Sequence, residues 1–203
     1  MIYFLSLVGL VAFAISGVLA SKDKRPDFIG GFILAFVTSL GGGICRDAIL
    51  GRPAESFRDV NNFLVIFIAA LVGMIFLKHI EKHNKKLALF DAIGLGVFNG
   101  TGFLLGFEFT EFPVISAILL GAVTGTGGGV TRDILCNRMP YLLRPGEFYI
   151  TPCFIGGGIG VALHYFGCSA EVIVVGISVS TILLRLLGLK YNWSFPSYYK
   201  NEE

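Results

Sequence analysis

Five stretches of this chain run for 18 residues or more without a charged side chain: Ile2–Ser21, Phe28–Cys45, Val60–Leu77, Phe112–Thr131 and Phe148–Ala170. Two more are interrupted once, Leu87–Phe107 by Asp91 and Val172–Leu189 by Arg185. A helix that crosses a bilayer needs roughly 20 predominantly apolar residues. Only 15% of the 203 residues are charged, against about 25% in a soluble domain. Seven candidate spans with short connections predict an all-α polytopic membrane protein, a single integral membrane domain with no soluble part. Met1-Ile2-Tyr3 has no basic character and the first run reaches full spanning length, so a cleaved signal peptide is not expected. Cys45, Cys136, Cys153 and Cys168 are scattered without a C-x-x-C and read as small packing residues. His79 and His83 fall in a polar loop. No Ser/His/Asp set, metal-ligand spacing or phosphate loop suggests an enzyme, and neither cofactor nor nucleic-acid partner is expected.

Basic residues set the expected orientation. With seven spans, the side of the N-terminus receives Arg52 and Arg58, while the opposite side receives eleven Lys and Arg, from Lys22 to Lys200. The N-terminus is therefore expected outside and the C-terminus in the cytoplasm.

Within the spans, "SLGGGICRDAILGR" is repeated as "TGTGGGVTRDILCNR". A shift of 86 places Gly41, Gly42 and Gly43 on Gly127, Gly128 and Gly129, and Arg46-Asp47 on Arg132-Asp133. It also places Thr38 on Thr124, Arg52 on Arg138 and Arg58 on Arg144; a shift of 85 carries Phe13 and Gly17 to Phe98 and Gly102. The first repeat is taken as 1–86 (three helices and a loop), the second as 87–170, and 171–203 as a seventh helix with a tail. Three helices per unit is odd, so the second copy enters the membrane from the opposite face, as in inverted-repeat transport proteins whose broken helices meet at mid-membrane.

Each glycine costs a helix about 0.8–1.0 kcal/mol relative to alanine. Both triplets are accordingly expected to break the second and fifth helices and to turn carbonyl oxygens toward a polar cavity, where they replace a cation's hydration shell. Close helix packing is the alternative, and Gly156, Gly157, Gly158 and Gly160 of the sixth span read that way. An arginine deep in a span usually faces a cavity or a partner. Pseudo-symmetry suggests Arg46 with Asp133 and Arg132 with Asp47, lining or gating a pore, with snorkelling to headgroups as the alternative. Thr38, Ser39, Thr124 and Thr126 add hydroxyls to the same wall or bond back within their own helices. Asp91 either attracts cations at a pore mouth or marks a helix start, and Asp27 begins a helix.

These residues resemble the prokaryotic branch of the trimeric intracellular cation channel family. "GGGICRD", "GGGVTRD", "FAISG", "DAIGLGVFNGTG" and "PGEFY" carry the likeness, which covers about Ile2 to Leu189. It implies two inverted three-helix repeats plus a seventh helix, the second and fifth helices kinked at Gly-Gly-Gly. It also implies a homotrimer in the plasma membrane with one potassium-preferring monovalent cation pore per subunit. That pore runs beside Gly41–Gly43 and Gly127–Gly129, with Arg46, Asp47, Arg132 and Asp133 as the charged positions after each kink; potassium is a transient occupant, not a resident metal. Animal members carry basic residues in the fourth helix that are linked to voltage response, and Leu87–Phe107 has none. The same sequences also resemble a group described as transporters of glycine and similar small amino acids.

Overall fold

The structure, a computed structural model, describes residues 1–24, 26–77, 83–109 and 113–194. It contains seven α-helices: α1 (Ile2–Ser21), α2 (Phe28–Ile49), α3 (Val60–Leu77), α4 (His83–Phe109), α5 (Pro113–Leu135), α6 (Thr151–Tyr165) and α7 (Ala170–Tyr191). There is no strand among the described residues. A chain this apolar must satisfy its backbone groups internally, and helices do so without needing a neighbour. Five helices are long and apolar enough to cross a membrane; the apolar helical stretch Val60–Ile75 of α3 is shorter.

Local chemistry sets the helix ends. Asp27 caps α2 by accepting from the Gly30 N–H at 2.7 Å, as the sequence suggested. Ser169 accepts from the Val172 N–H to cap α7, and Asn192 in the left-handed region closes it. His83 opens α4 instead of lying in a loop, while His79 falls outside the described residues. The uncharged run of the sixth candidate span, Phe148–Ala170, has 23 residues, yet α6 has only 15. Gly167, at φ +73°, turns the chain after Tyr165, and the Cys168 N–H closes the end on the Leu163 carbonyl at 3.1 Å.

The triplets do not break their helices: α2 is continuous through Gly41–Gly43 and α5 through Gly127–Gly129. Three glycines lower helix propensity by about 3 kcal/mol in all. Unpairing the backbone in hydrocarbon costs several kcal/mol for each group, so the helical ladder wins. What the glycines permit instead is close approach. A Cβ on Gly42 would collide with the Thr124 carbonyl oxygen, and one on Gly128 with that of Thr38. A Cβ on Gly127 would stand 3.0 Å from the Gly42 Cα, and one on Gly41 3.4 Å from the Gly128 Cα. The contacts exchange in pairs under the 86-residue shift, Gly42–Thr124 with Gly128–Thr38 and Gly127–Gly42 with Gly41–Gly128, and the numbering runs in opposite senses on the two helices. The crossing of α2 and α5 is therefore antiparallel and pseudo-two-fold.

The α1–α4 pair obeys the same rule. Phe13 stacks on its repeat equivalent Phe98, ring centroids 5.3 Å apart, and Gly9 and Gly94 lie beneath the opposite rings. Gly17 packs on the α2 backbone at Leu34 and Ala35, as Gly102 packs on α5 at Leu120 and Thr124. Helix α3 covers α1 and α2, α6 covers α5, and α7 lies across α4 and α6. The expected small-residue face of α6 is present at Gly156, Gly157 and Gly160, which meet Thr181, Ile118 and Ile177; Gly158 faces open space.

Candidate functional site: two copies of an Arg-Asp station

Each of α2 and α5 ends in the same hydrogen-bonded turn. The Asp47 Oδ2 accepts from the Glu55 N–H at 2.9 Å, and the Asp133 Oδ2 accepts from the Tyr141 N–H at 3.2 Å. The Asp47 and Asp133 carbonyls accept from the Arg52 and Arg138 N–H groups at 3.0 and 2.9 Å. Gly51 and Asn137 hold equivalent positions at φ +63° and +50°. Asparagine tolerates this region better than most residues, so the turn survives the replacement.

The arginines do not pair across the repeats as expected. Arg46 Nε donates to Asp47 Oδ1 at 2.8 Å, and Arg132 Nε donates to Asp133 Oδ1 at 2.9 Å. The helices cross at the glycines, and each arginine lies four residues beyond Gly42 or Gly128 on antiparallel rods. At 1.5 Å per residue the two guanidinium groups are displaced by roughly 12 Å along the crossing, on opposite sides of it. Each repeat thus forms its own station, and neither arginine snorkels to a headgroup.

The stations differ in surroundings. Arg132 is completely buried. Its Nη1 donates to Asp91 Oδ1 at 2.6 Å and to Ser16 Oγ at 2.5 Å, which ties α5 to α4 and α1. Asp91 is buried in α4 and serves as a counter-ion, neither a mouth residue nor a cap. Gly129 makes room for the cluster, since an added Cβ would stand 2.6 Å from the Tyr149 Oη and 3.2 Å from Asp91 Oδ1. Tyr141 lies against the Arg132 guanidinium at 5.8 Å, and Arg185 of α7 rests over the Tyr149 ring at 4.9 Å. Arg185 Nη1 donates to Glu147 Oε2 at 3.0 Å and to the Phe148 carbonyl at 2.9 Å. This buried polar cluster closes the end of the molecule away from the N-terminus. Beyond it a cavity of about 890 Å³, bordered by Lys85, Arg138, Tyr141, Arg144, Glu147 and Lys190, opens on that face.

Arg46 instead borders a cavity of about 480 Å³ on the face of the N-terminus, together with Ser6, Ser39, Gly43, Thr101 and Glu108. Asp47 is shared with Arg52, whose Nε lies 3.1 Å from Asp47 Oδ1. Of the hydroxyls expected on a common wall, Ser39 borders this cavity and donates to the Leu10 carbonyl at 3.0 Å. Thr38, Thr124 and Thr126 are buried and donate to the carbonyls of Leu34, Leu120 and Ala122 in their own helices. Sequence reasoning missed Ser16, Tyr149, Glu147 and the bonding of Arg185. The pointers were the charge of Arg185 inside an apolar run and the motifs "FAISG" and "PGEFY", which contain Ser16, Glu147 and Tyr149 but gave them no role.

At the rim, the Tyr3 hydroxyl donates to Asp59 Oδ2 at 2.7 Å, and Asn61 Nδ2 donates to Tyr3 at 3.1 Å. The Tyr3 hydrogen bond holds the Asp59 carboxyl below its usual range. A lowered carboxylate pKa stabilises the fold above the ordinary aspartate value of about 3.9, and the effect fades as pH falls through the lowered value. Tyr3→Phe is expected to lower the melting temperature slightly at pH 7, with the difference shrinking as pH falls below the ordinary aspartate range. A difference that grows on acidification overturns the assignment.

A pseudo-two-fold bundle with a charged station in each half is the architecture of an integral membrane protein that handles small solutes or ions. Residues 3–78 and 88–165 match the family model described as "Glycine transporter", and the chain belongs to that family. It is 34% identical over 205 residues to the UPF0126 inner membrane protein YadS of Escherichia coli strain K12, covering all of this chain and 98% of that one. Among solved structures, a chain described under conductance through TRIC cation channels superposes with TM-score 0.87 at 32% identity, covering 98% of each chain. The TRIC trimeric intracellular cation channel orthologue from Rhodobacter sphaeroides gives TM-score 0.87 at 31% identity, over 94% of this chain and 97% of that one. The resemblance to the trimeric channel family stands, and the chain is a multi-pass membrane protein.

Proposed function

We propose that this protein is a potassium-preferring monovalent cation channel, a homotrimer with a separate pore in each subunit. The observation that carries the reading is a pair of cavities, each bordered by charged side chains, opening on opposite faces of one subunit. Between Gly43 and Arg46 in one and Tyr141 in the other lie the α2–α5 crossing and the Arg132–Asp91 cluster. At the cavity near the N-terminus the carboxylates of Glu55, Asp59 and Glu108 outnumber the guanidinium groups of Arg46 and Arg58, and the net negative charge raises the local cation concentration. The carbonyls of the triplets stay within helices, so ions pass side chains and water, and conduction requires the buried Arg132 cluster to move aside. The N-terminal face is outside and the C-terminus cytoplasmic, on the asymmetry of basic residues.

Recordings from purified protein in planar bilayers with asymmetric potassium chloride are expected to show unitary currents that reverse near the potassium equilibrium potential. Slow, saturable flux without unitary events overturns the channel reading.

A second reading is transport of glycine or a similar small amino acid. It is favoured by the mixture of Arg46 with acidic side chains around one cavity and by the description of the matching family. Adding glycine to the same recordings and measuring its uptake into vesicles separates the two.

A further inference from the structure

The two stations are built alike but filled differently. Beside Arg132 Nη1, the slot is occupied by the Asp91 carboxylate and the Ser16 hydroxyl. Under the 85-residue shift that relates α1 to α4, Asp91 corresponds to Ser6 and Ser16 to Thr101. Both Ser6 and Thr101 border the cavity that Arg46 faces. A hydroxyl therefore stands where the other repeat supplies a carboxylate. Arg46 is 8% exposed, its Nε and Nη2 are engaged by Asp47, and its Nη1 has no protein hydrogen-bond partner among the described residues.

We propose that the cavity on the N-terminal face binds a small α-amino acid, glycine being the simplest, with its carboxylate on Arg46 Nη1 beside Thr101, whose hydroxyl turns from the Phe98 carbonyl to meet it. The ligand takes the place that Asp91 takes beside Arg132. A guanidinium is a strong and directional partner for a carboxylate, and a space of about 480 Å³ accommodates a small molecule with its water. Glu55, Asp59 and Glu108 outnumber Arg46 and Arg58 on the cavity wall, which disfavours a bare anion and favours a ligand that carries its own ammonium group. The inference rests on the amino-acid reading of this cavity and names its site.

The test is calorimetric titration of the full chain in nanodiscs with glycine, acetate and methylamine. Glycine is expected to bind saturably, and acetate and methylamine at least tenfold more weakly. Arg46→Gln is expected to weaken glycine binding tenfold or more. Ser6→Asp, which installs the carboxylate of the second repeat without touching the arginine, is expected to do the same, whereas Ser6→Asn stays within threefold of the wild type. Absence of glycine binding, acetate binding as tightly as glycine, or binding undiminished in folded Ser6→Asp overturns the site. Uptake into vesicles is read separately. Binding without uptake removes the transport reading and leaves the site, while uptake that persists in Ser6→Asp removes the site and leaves transport.

Discussion

Alanine at Gly42 or Gly128 is expected to destabilise the protein by about 3 kcal/mol, the upper end of ordinary overpacking. The obstacle is a main-chain carbonyl oxygen, of Thr124 in one case and Thr38 in the other. A flexible side chain can rotate away, but a backbone held in a buried helix cannot. Relief requires the two central helices to separate, which also disturbs Phe13 against Phe98 and Gly17 against α2. The contrasting substitution is Gly158→Ala, whose new methyl group meets nothing within 4 Å and whose backbone is already helical. It is expected to match or slightly exceed wild-type stability. Thermal melts of the three variants in one detergent decide the matter. Crossing variants that melt with the wild type would show that the central contact is looser than its geometry.

The other large effect is expected at Arg132. Replacing it with methionine leaves Asp91 and Asp133 in a buried site without their shared counter-ion, and removing one partner of a buried pair costs about 3–5 kcal/mol. Desolvation dominates that cost, so the double variant Arg132→Met/Asp91→Leu is expected to recover at least half of it. Arg46→Met is expected to lose much less. Asp47 keeps Arg52 Nε at 3.1 Å, and the Arg46 side chain borders a cavity open to solvent. Chemical unfolding of the four proteins measures the difference. Equal losses at Arg46 and Arg132 would contradict the inequality of the two stations, and a double variant no better than Arg132→Met would contradict the charge argument.

That inequality was already written in the repeat. Aligning "SLVGLVAFAISG" with "DAIGLGVFNGTG" puts Ser6 opposite Asp91, so one half carries a carboxylate that the other lacks. The alignment also contains the matched threonines and the glycines of the crossing. What it does not contain is the direction in which each side chain turns. The pairing of Arg46 with Asp133 looked natural on symmetry alone. It fails because an antiparallel crossing at the triplets carries residues beyond the crossing away from each other. Asp91 was ambiguous because a lone aspartate in an apolar run gives no sign of which neighbouring helix supplies its cation.

The sequence by itself determined the helical class, the repeat and its parity, the helix start at Asp27, and the membrane setting. Uncharged run length and residue identity act locally or through the solvent, so they can be read along a line. Only the tertiary structure decided that the triplets are contact surfaces and not breaks, that Arg132 is sealed by Asp91 and Ser16, and that Arg46 is left with an open flank. Those outcomes depend on which surfaces meet in three dimensions. There, the cost of unpairing a backbone in hydrocarbon exceeds the weak helix preference of glycine, and a buried charge goes to whichever opposite charge the packing brings within reach.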